Sequence, residues 1–348
     1  MKLLYFSKTS IIGPSSRYRI YQYVPYLREG GIEVTICPLF KEVWFRILDI
    51  RWPLFRVAAK AIYALVRLFV RIWDLLKVGK YDLYCFEHQA FPYIPVFLER
   101  IAERMNPNMI FEFDDAIFLT FLHRRKLPHL IKMSKHVIVG NLFLKNYTIQ
   151  YNPNVTVIPT VVDTERYKPK EDYRLQGQVN IGWVGLAYNL PYILNLTRTF
   201  QKLKAEVGDF IFTVISSKGI KMDGVKIDFK PWNYNDEEKD IRALDIGIMP
   251  LADDEWAKGK CGLKVLQYMA CGVPVVASPV GVNTEIIKDA ENGFLAATDN
   301  EWLEKLTLLL RDETLRRKIG QEGRKTVETH YSLKRWGPKV ASLYKNLL

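Results

Sequence analysis

Three lysines, Lys258, Lys260 and Lys264, stand close together where an apolar-periodic run begins. That run, Leu263, Leu266, Met269 and Ala270, has the three-and-four spacing of one helix face. Ammonium groups beside the first, unbonded amides of a helix favour an anion such as a diphosphate. The backbone of Cys261, Gly262 and Leu263 would supply those amides. Lys260, Lys264 and Gln267 recur on a second, polar face of the same helix. A core helix whose lysines simply face water fits the spacing equally well.

Two further clusters could do chemistry. Asp114 and Asp115 end an apolar run, Met109–Phe113. Adjacent carboxylates there suit hydroxyl or metal binding, and equally a helix cap with an ion-pair partner. Arg17 and Arg19 follow the loop Gly13-Pro14-Ser15-Ser16, where they would meet an anionic acceptor or lie solvated on a helix. His88 follows a strand and faces either a cleft or its own loop. No His, Cys, Asp or Glu set has metal-ligand spacing, and no serine or cysteine nucleophile motif stands out.

The elements that must position these residues alternate. Strand Leu3–Ser7, a Gly-containing loop, a helix from about Tyr18 to Glu29 and strand Glu33–Pro38 open a doubly wound α/β domain. Strands at Tyr81–Phe86, Met109–Phe113, His136–Gly140 and Val155–Pro159 continue it. Phe91-Pro92-Tyr93-Ile94-Pro95 leads into a helix ending near Met105. Ligands in such sheets sit at the carboxyl ends of strands, which gathers Gly13, Arg17, Arg19 and Asp114. The pattern restarts at Val179–Val184, whose exit is Gly182-Trp183-Val184-Gly185, and further strands are expected at Phe210–Ile215, Val225–Phe229 and Asp245–Pro250. Gly272 and Pro274 stop the lysine-bearing helix, and Val275–Ala277 is a short buried strand.

At 348 residues two domains are expected: 1–165, 166–330 and a last helix, 331–348, returning to the first. The net charge of +12 is uneven: residues 1–172 carry 25 Lys and Arg against 16 Asp and Glu, the remainder 25 against 22. A basic half implies an anionic partner. The four cysteines form no CxxC pair, and the first residues are too short an apolar run for a signal peptide, so a cytoplasmic setting is expected.

Residues 41–80 interrupt the alternation. Arg56, Lys60, Arg67 and Arg71 form a stripe on a largely apolar helix, where each charge would be costly at a bilayer centre. An interfacial helix anchored by Trp52, Phe55, Leu65, Phe69 and Trp73 against an anionic membrane surface explains them. A helix packed on the protein with its basic edge in water is the alternative. The cations have apolar neighbours rather than a stacking surface, which speaks against nucleic acid.

Met269-Ala270-Cys271-Gly272-Val273-Pro274-Val275-Val276-Ala277 resembles the donor-binding segment of family-4 (group 1) glycosyltransferases. Phe111–Ala116 and Pro159–Asp163 resemble that family's acceptor-side loop and hinge. The resemblance implies a GT-B fold, two Rossmann-like domains facing across a cleft. It implies a retaining transfer without metal or other cofactor, from a nucleotide diphosphate sugar to a hydroxyl. With the 41–80 helix, it points to a lipid-linked or glycan acceptor at the inner face of a membrane. By the same resemblance Gly185 faces the donor phosphates, Trp232 lies beside the base or equally is a buried interdomain Trp, and Asp114 or Asp115 orients the acceptor. Lys260, helped by Lys258 or Lys264, would stabilise the leaving phosphate. The family's Glu-x7-Glu pair is replaced by Gly259 and Gln267. Gln267 can still bond a ribose hydroxyl, and one of Asp253, Asp254 and Glu255 would stand in for the first Glu. That departure keeps open a catalytically silent partner subunit, and a soluble transferase of small molecules is a further alternative.

Overall fold

The computed structural model describes residues 1–48, 50–91, 94–121, 123–175 and 177–348. Pro92 and Tyr93, in the lead to the helix before Met105, lie outside the described residues. The chain divides into two compact units, residues 1–160 with 336–348, and residues 161–335.

In the first unit β1 (Lys2–Phe6), β2 (Glu33–Ile36), β3 (Leu83–Glu87), β4 (Met109–Phe113), β5 (His136–Val139) and β6 (Val155–Val157) form a parallel sheet. Its order is β2-β1-β3-β4-β5-β6. β3 and β4 are buried along their whole length, as strands of a sheet covered on both faces must be. Strand order reverses between β1 and β3, so their carboxyl ends flank the crevice where such sheets hold ligands. Residues 336–348 close this unit, with Tyr344 Oη donating to Tyr5 Oη at 3.1 Å.

In the second unit β7 (Asn180–Val184), β8 (Ile211–Ser216), β9 (Lys226–Pro231), β10 (Ile246–Met249), β11 (Val275–Ala277) and β12 (Phe294–Leu295) form another parallel sheet. The order β12-β11-β10-β7-β8-β9 is that of a dinucleotide-binding sheet. Its reversal lies between β7 and β10. Trp183, Phe200, Phe212 and Trp302 are among the large side chains of its core.

The continuous helix expected from Tyr18 to Glu29 is instead three pieces. Pro14–Arg19 and Val24–Glu29 are helical, with a 3₁₀ turn at Tyr21–Tyr23 between them. Pro25 has no N–H to donate and its ring would strike the preceding turn, so it sits in the first turn of the later helix.

The 41–80 segment is a helix at Glu42–Leu48 and a long one at Pro53–Leu75, the crossover from β2 to β3. Its stripe of cations is not spread over an exposed edge. Arg67 gives Nε to Leu39 O at 2.9 Å and NH2 to Pro38 O at 2.5 Å. Arg71, 1 % exposed, gives NH1 to Cys37 O and NH2 to Ser7 O, both at 2.8 Å. The strand exits leave carbonyls that need donors, and a guanidinium has five. Both expected placements of that edge, in water or against an anionic surface, are therefore corrected for Arg67 and Arg71. The apolar face turns outward: Trp52, Phe55, Leu65, Phe69 and Trp73 are all exposed. No helix among the described residues is long and apolar enough to cross a membrane.

Candidate functional site

In the second unit the helix Leu263–Ala270 begins after Gly262, whose φ of +70° is left-handed. A Cβ at that position would come within 2.5 Å of Ile286 Cδ1, so glycine is required both for conformation and for space. No side chain caps this helix start. Its first-turn amides, Leu263 among them, therefore present the positive end of the helix.

Two lysines converge near it. Lys264 Nζ lies 4.6 Å from the centre of the Trp183 ring, which belongs to β7. Lys260 Nζ lies 5.5 Å from the Trp256 ring and 5.9 Å from that of Tyr188. Both lysines are half-buried, and each is held by the face of an aromatic ring. Gly185 follows β7 beside Lys264. A Cβ there would meet Trp183 at 2.6 Å and Lys264 Cε at 2.7 Å. Its own amide donates to Ile215 O at 3.0 Å. This places Gly185, Lys264 and the strand reversal together, as a phosphate-holding loop requires.

Lys258 has another partner. Its Nζ is 3.0 Å from Asp253 Oδ1 at the surface. Asp254 caps the short helix Glu255–Lys258, accepting from Ala257 N at 2.7 Å. Cys261 Sγ makes a long contact to Gly259 O, 3.7 Å.

Gln267 and Trp232 prove to be connected, through residues that carry no sequence signal. Gln267 is 2 % exposed and donates Nε2 to Tyr167 Oη at 2.8 Å. Tyr167 Oη donates to Glu237 Oε2 at 2.6 Å, and Trp232 Nε1 donates to Glu237 Oε1 at 2.8 Å. Tyr167 lies at a bend near the start of the second unit and Glu237 opens a helix, so spacing alone does not pair them. The chain of bonds fixes Trp232 at the exit of β9.

In the first unit the exits of β1, β3 and β4 carry a buried polar cluster. His88 follows β3 with φ of +57°, a conformation uncommon for a residue with a Cβ. Its Nε2 lies 3.0 Å from Asp114 Oδ1, and Ser15 Oγ donates to the same oxygen at 3.2 Å. Gly13 precedes the helix that carries Ser15. Ser16 Oγ and Lys8 N donate to Glu87 Oε2 at 2.6 and 2.8 Å. Arg19 gives Nε to Glu112 Oε1 at 2.8 Å and NH1 to Ile158 O at 2.7 Å, and Tyr5 Oη donates to Glu112. Arg17 is buried with its guanidinium 4.8 Å from the Tyr18 ring. Neither arginine is a solvated helix residue. Asp115 stands half-buried beside Asp114, its carbonyl accepting from Ile117 N at 2.7 Å.

Burial alone would raise the Asp114 carboxyl. The hydrogen bond and charge of His88, with Arg19 and Ser15, outweigh it and hold Asp114 down at about 2. Burial pushes Glu87 and Glu112 the other way, upward. The crevice thus pairs an ionised carboxylate with an imidazole, an arrangement able to hold and orient a hydroxyl. His88, left undecided by the sequence, is the candidate that only the fold brings into this cluster.

Two Rossmann-type parallel sheets define the GT-B class of fold. HepE of Anabaena, solved in complex with UDP-glucose, superimposes with a TM-score of 0.73 over the whole of both chains at 14 % identity. Residues 226–326 match the model of glycosyl transferases group 1, and that stretch is a group 1 glycosyltransferase domain. N-acetyl-alpha-D-glucosaminyl L-malate synthase of Bacillus anthracis is 29 % identical over 26 % of this chain and 24 % of its own length. The GDP-mannose-dependent monoacylated alpha-(1-6)-phosphatidylinositol monomannoside mannosyltransferase of Corynebacterium glutamicum is 29 % identical over 32 % of this chain and 30 % of its own. The chain spans about a quarter of the length of the first curated relatives it matches.

Proposed function

We propose that the protein moves a sugar from a nucleotide diphosphate sugar to a hydroxyl of a lipid-linked acceptor, in assembly of a cell-surface polysaccharide or glycolipid. The transfer retains anomeric configuration and needs no metal. The observation that carries the reading is the anion-binding corner of the second unit. Lys260 and Lys264 are held on aromatic faces beside an uncapped helix start at the strand reversal. Departure of the nucleoside diphosphate puts charge on its terminal phosphate. Fixed donors aimed at that charge are the strongest device such a site offers. The UDP-glucose bound by HepE and the GDP-mannose named for the Corynebacterium enzyme support a nucleotide-sugar donor and leave the base open.

On the acceptor side, Asp114 and His88 would orient the attacking hydroxyl. A departing phosphate oxygen would take its proton, in keeping with retention. The outward apolar face of Pro53–Leu75 supports work at the inner surface of a membrane, since confinement raises the effective concentration of a lipid-linked substrate. Incubating purified protein with UDP-, GDP- and ADP-sugars and a membrane extract tests the reading. Sugar should pass into the lipid fraction in the presence of EDTA, and no transfer from any donor would defeat it.

Gln267 favours one second reading, the silent partner subunit. It stands where the family has a glutamate, and its amide is turned onto Tyr167. That reading predicts nucleotide binding without transfer or donor hydrolysis.

A further inference from the structure

A cavity of about 380 Å³ opens at the C-terminal end of the long helix Pro53–Leu75. Lys2, Lys77 and Lys80 line it against the single carboxylate of Glu33, and Trp73, Leu76 and Tyr81 form the rest of its wall. Trp73 and Leu76 are also exposed members of the outward apolar face, which Leu54, Phe55, Ile62 and Phe69 continue along the helix. One wall of a cationic cavity is therefore the rim of an apolar surface. Lys77 is steered toward this end of the helix by Asp74, 2.7 Å away. Lys2 begins β1 and Glu33 begins β2, so the cavity lies at the amino ends of the strands, opposite the crevice holding His88 and Asp114.

We infer that this cavity is a binding site for the phosphate of an anionic lipid headgroup, occupied while the apolar face beside it is embedded in the bilayer. The inference rests on the membrane reading given above. An interfacial helix sinks its apolar face just below the headgroups, and tryptophan prefers that level. Phosphodiesters then lie at the height of the rim, where Trp73 stands. Of the stripe cations, Arg67 and Arg71 are bonded to the protein's own carbonyls, and the lysines of the cavity supply positive charge at the C-terminal end of the helix. Lys2 and Lys80, with Lys77 paired to Asp74, leave the lining more cationic than anionic against Glu33, which complements a phosphodiester, and the two surfaces meet along one edge. Anchoring at the end of the helix would fix how the first unit lies on the membrane, where apolar contact alone leaves rotation open.

Flotation of the full-length protein with phosphatidylcholine vesicles, with and without phosphatidylglycerol, tests the site. Wild type should bind the neutral vesicles and bind the anionic ones more tightly. Lys77→Gln/Lys80→Gln should cost roughly thirtyfold of the anionic binding, since each lysine near such a surface is worth about 1 kcal/mol. Neutral binding should not change. Lys80→Gln alone, which leaves the Lys77–Asp74 pair in place, should show part of the same loss. Lys202→Gln/Lys318→Gln, exposed lysines of the second unit, should lose little of the anionic preference. Equal loss in that control, or no preference for phosphatidylglycerol, overturns the cavity site while leaving membrane binding standing. No binding to either vesicle defeats the membrane reading and the site with it. Stabilisation by inorganic phosphate without vesicles, lost in the double variant, would contradict the lipid assignment in favour of a free phosphate.

Discussion

His88 Nε2 and Asp114 Oδ1 are 3.0 Å apart at the exits of two neighbouring strands, and His88 adopts a left-handed backbone to reach that position. A strained conformation held over a half-buried carboxylate is the kind of feature that a functional crevice retains. The pair comes from residues far apart in sequence that the parallel sheet brings side by side.

Asp114 gives the first unit an acid-sensitive element. Its carboxyl is held at about 2 in the folded chain, against about 3.9 unfolded. Its contribution, about 2–3 kcal/mol, is therefore full above the unfolded value and lost as pH falls through the folded one. Asp114→Asn should flatten stability between about pH 5 and pH 2. Urea unfolding across that range checks this. Transfer by the same variant should fall roughly a hundredfold if the carboxylate orients the acceptor.

Tyr167→Phe removes the hydroxyl between Gln267 and Glu237. A buried amide and a buried carboxylate oxygen each lose a partner, which costs about 1–3 kcal/mol for the site. Chemical denaturation should show that loss. Because the same chain of bonds holds Trp232 at the exit of β9, nucleotide affinity should weaken as well.

Arg71→Met leaves the carbonyls of Ser7 and Cys37 without its guanidinium. A destabilisation of about 3 kcal/mol is expected, visible as a lower urea midpoint. Binding to anionic vesicles should persist, because this cation faces inward.

Much of the architecture was legible because parallel α/β segments announce themselves locally. Buried strands such as Met109–Phe113 are short apolar runs, and Gly272 with Pro274 marks a helix end. The cluster of Lys258, Lys260, Gly262 and Lys264 was legible for the same reason, since it lies within one short stretch. What local pattern could not reveal was direction and long-range pairing. The arginines of Pro53–Leu75 form a stripe in sequence whichever way it faces, and only the carbonyls at the exits of β1 and β2 decide that it turns inward. Likewise Gln267 reads as a polar helix position until Tyr167 and Glu237 arrive from elsewhere in the chain.

Phe55→Ser/Phe69→Ser substitutes two exposed side chains on the outward face. Fold stability should change by less than about 0.5 kcal/mol, whereas vesicle binding and transfer to a lipid acceptor should both drop about tenfold or more. Each large apolar side chain withdrawn from water is worth about 1.5–3 kcal/mol. Thermal unfolding beside vesicle flotation separates the two effects.

The most direct measurement is nucleoside diphosphate binding and sugar transfer by Lys260→Ala and Lys264→Ala, beside wild type, with unfolding curves as the control for folding. The anion corner predicts that each variant folds normally, loses nucleotide affinity and drops turnover by about a hundredfold or more, as removal of a fixed donor to a developing charge does. Wild-type binding and transfer in both variants would contradict it.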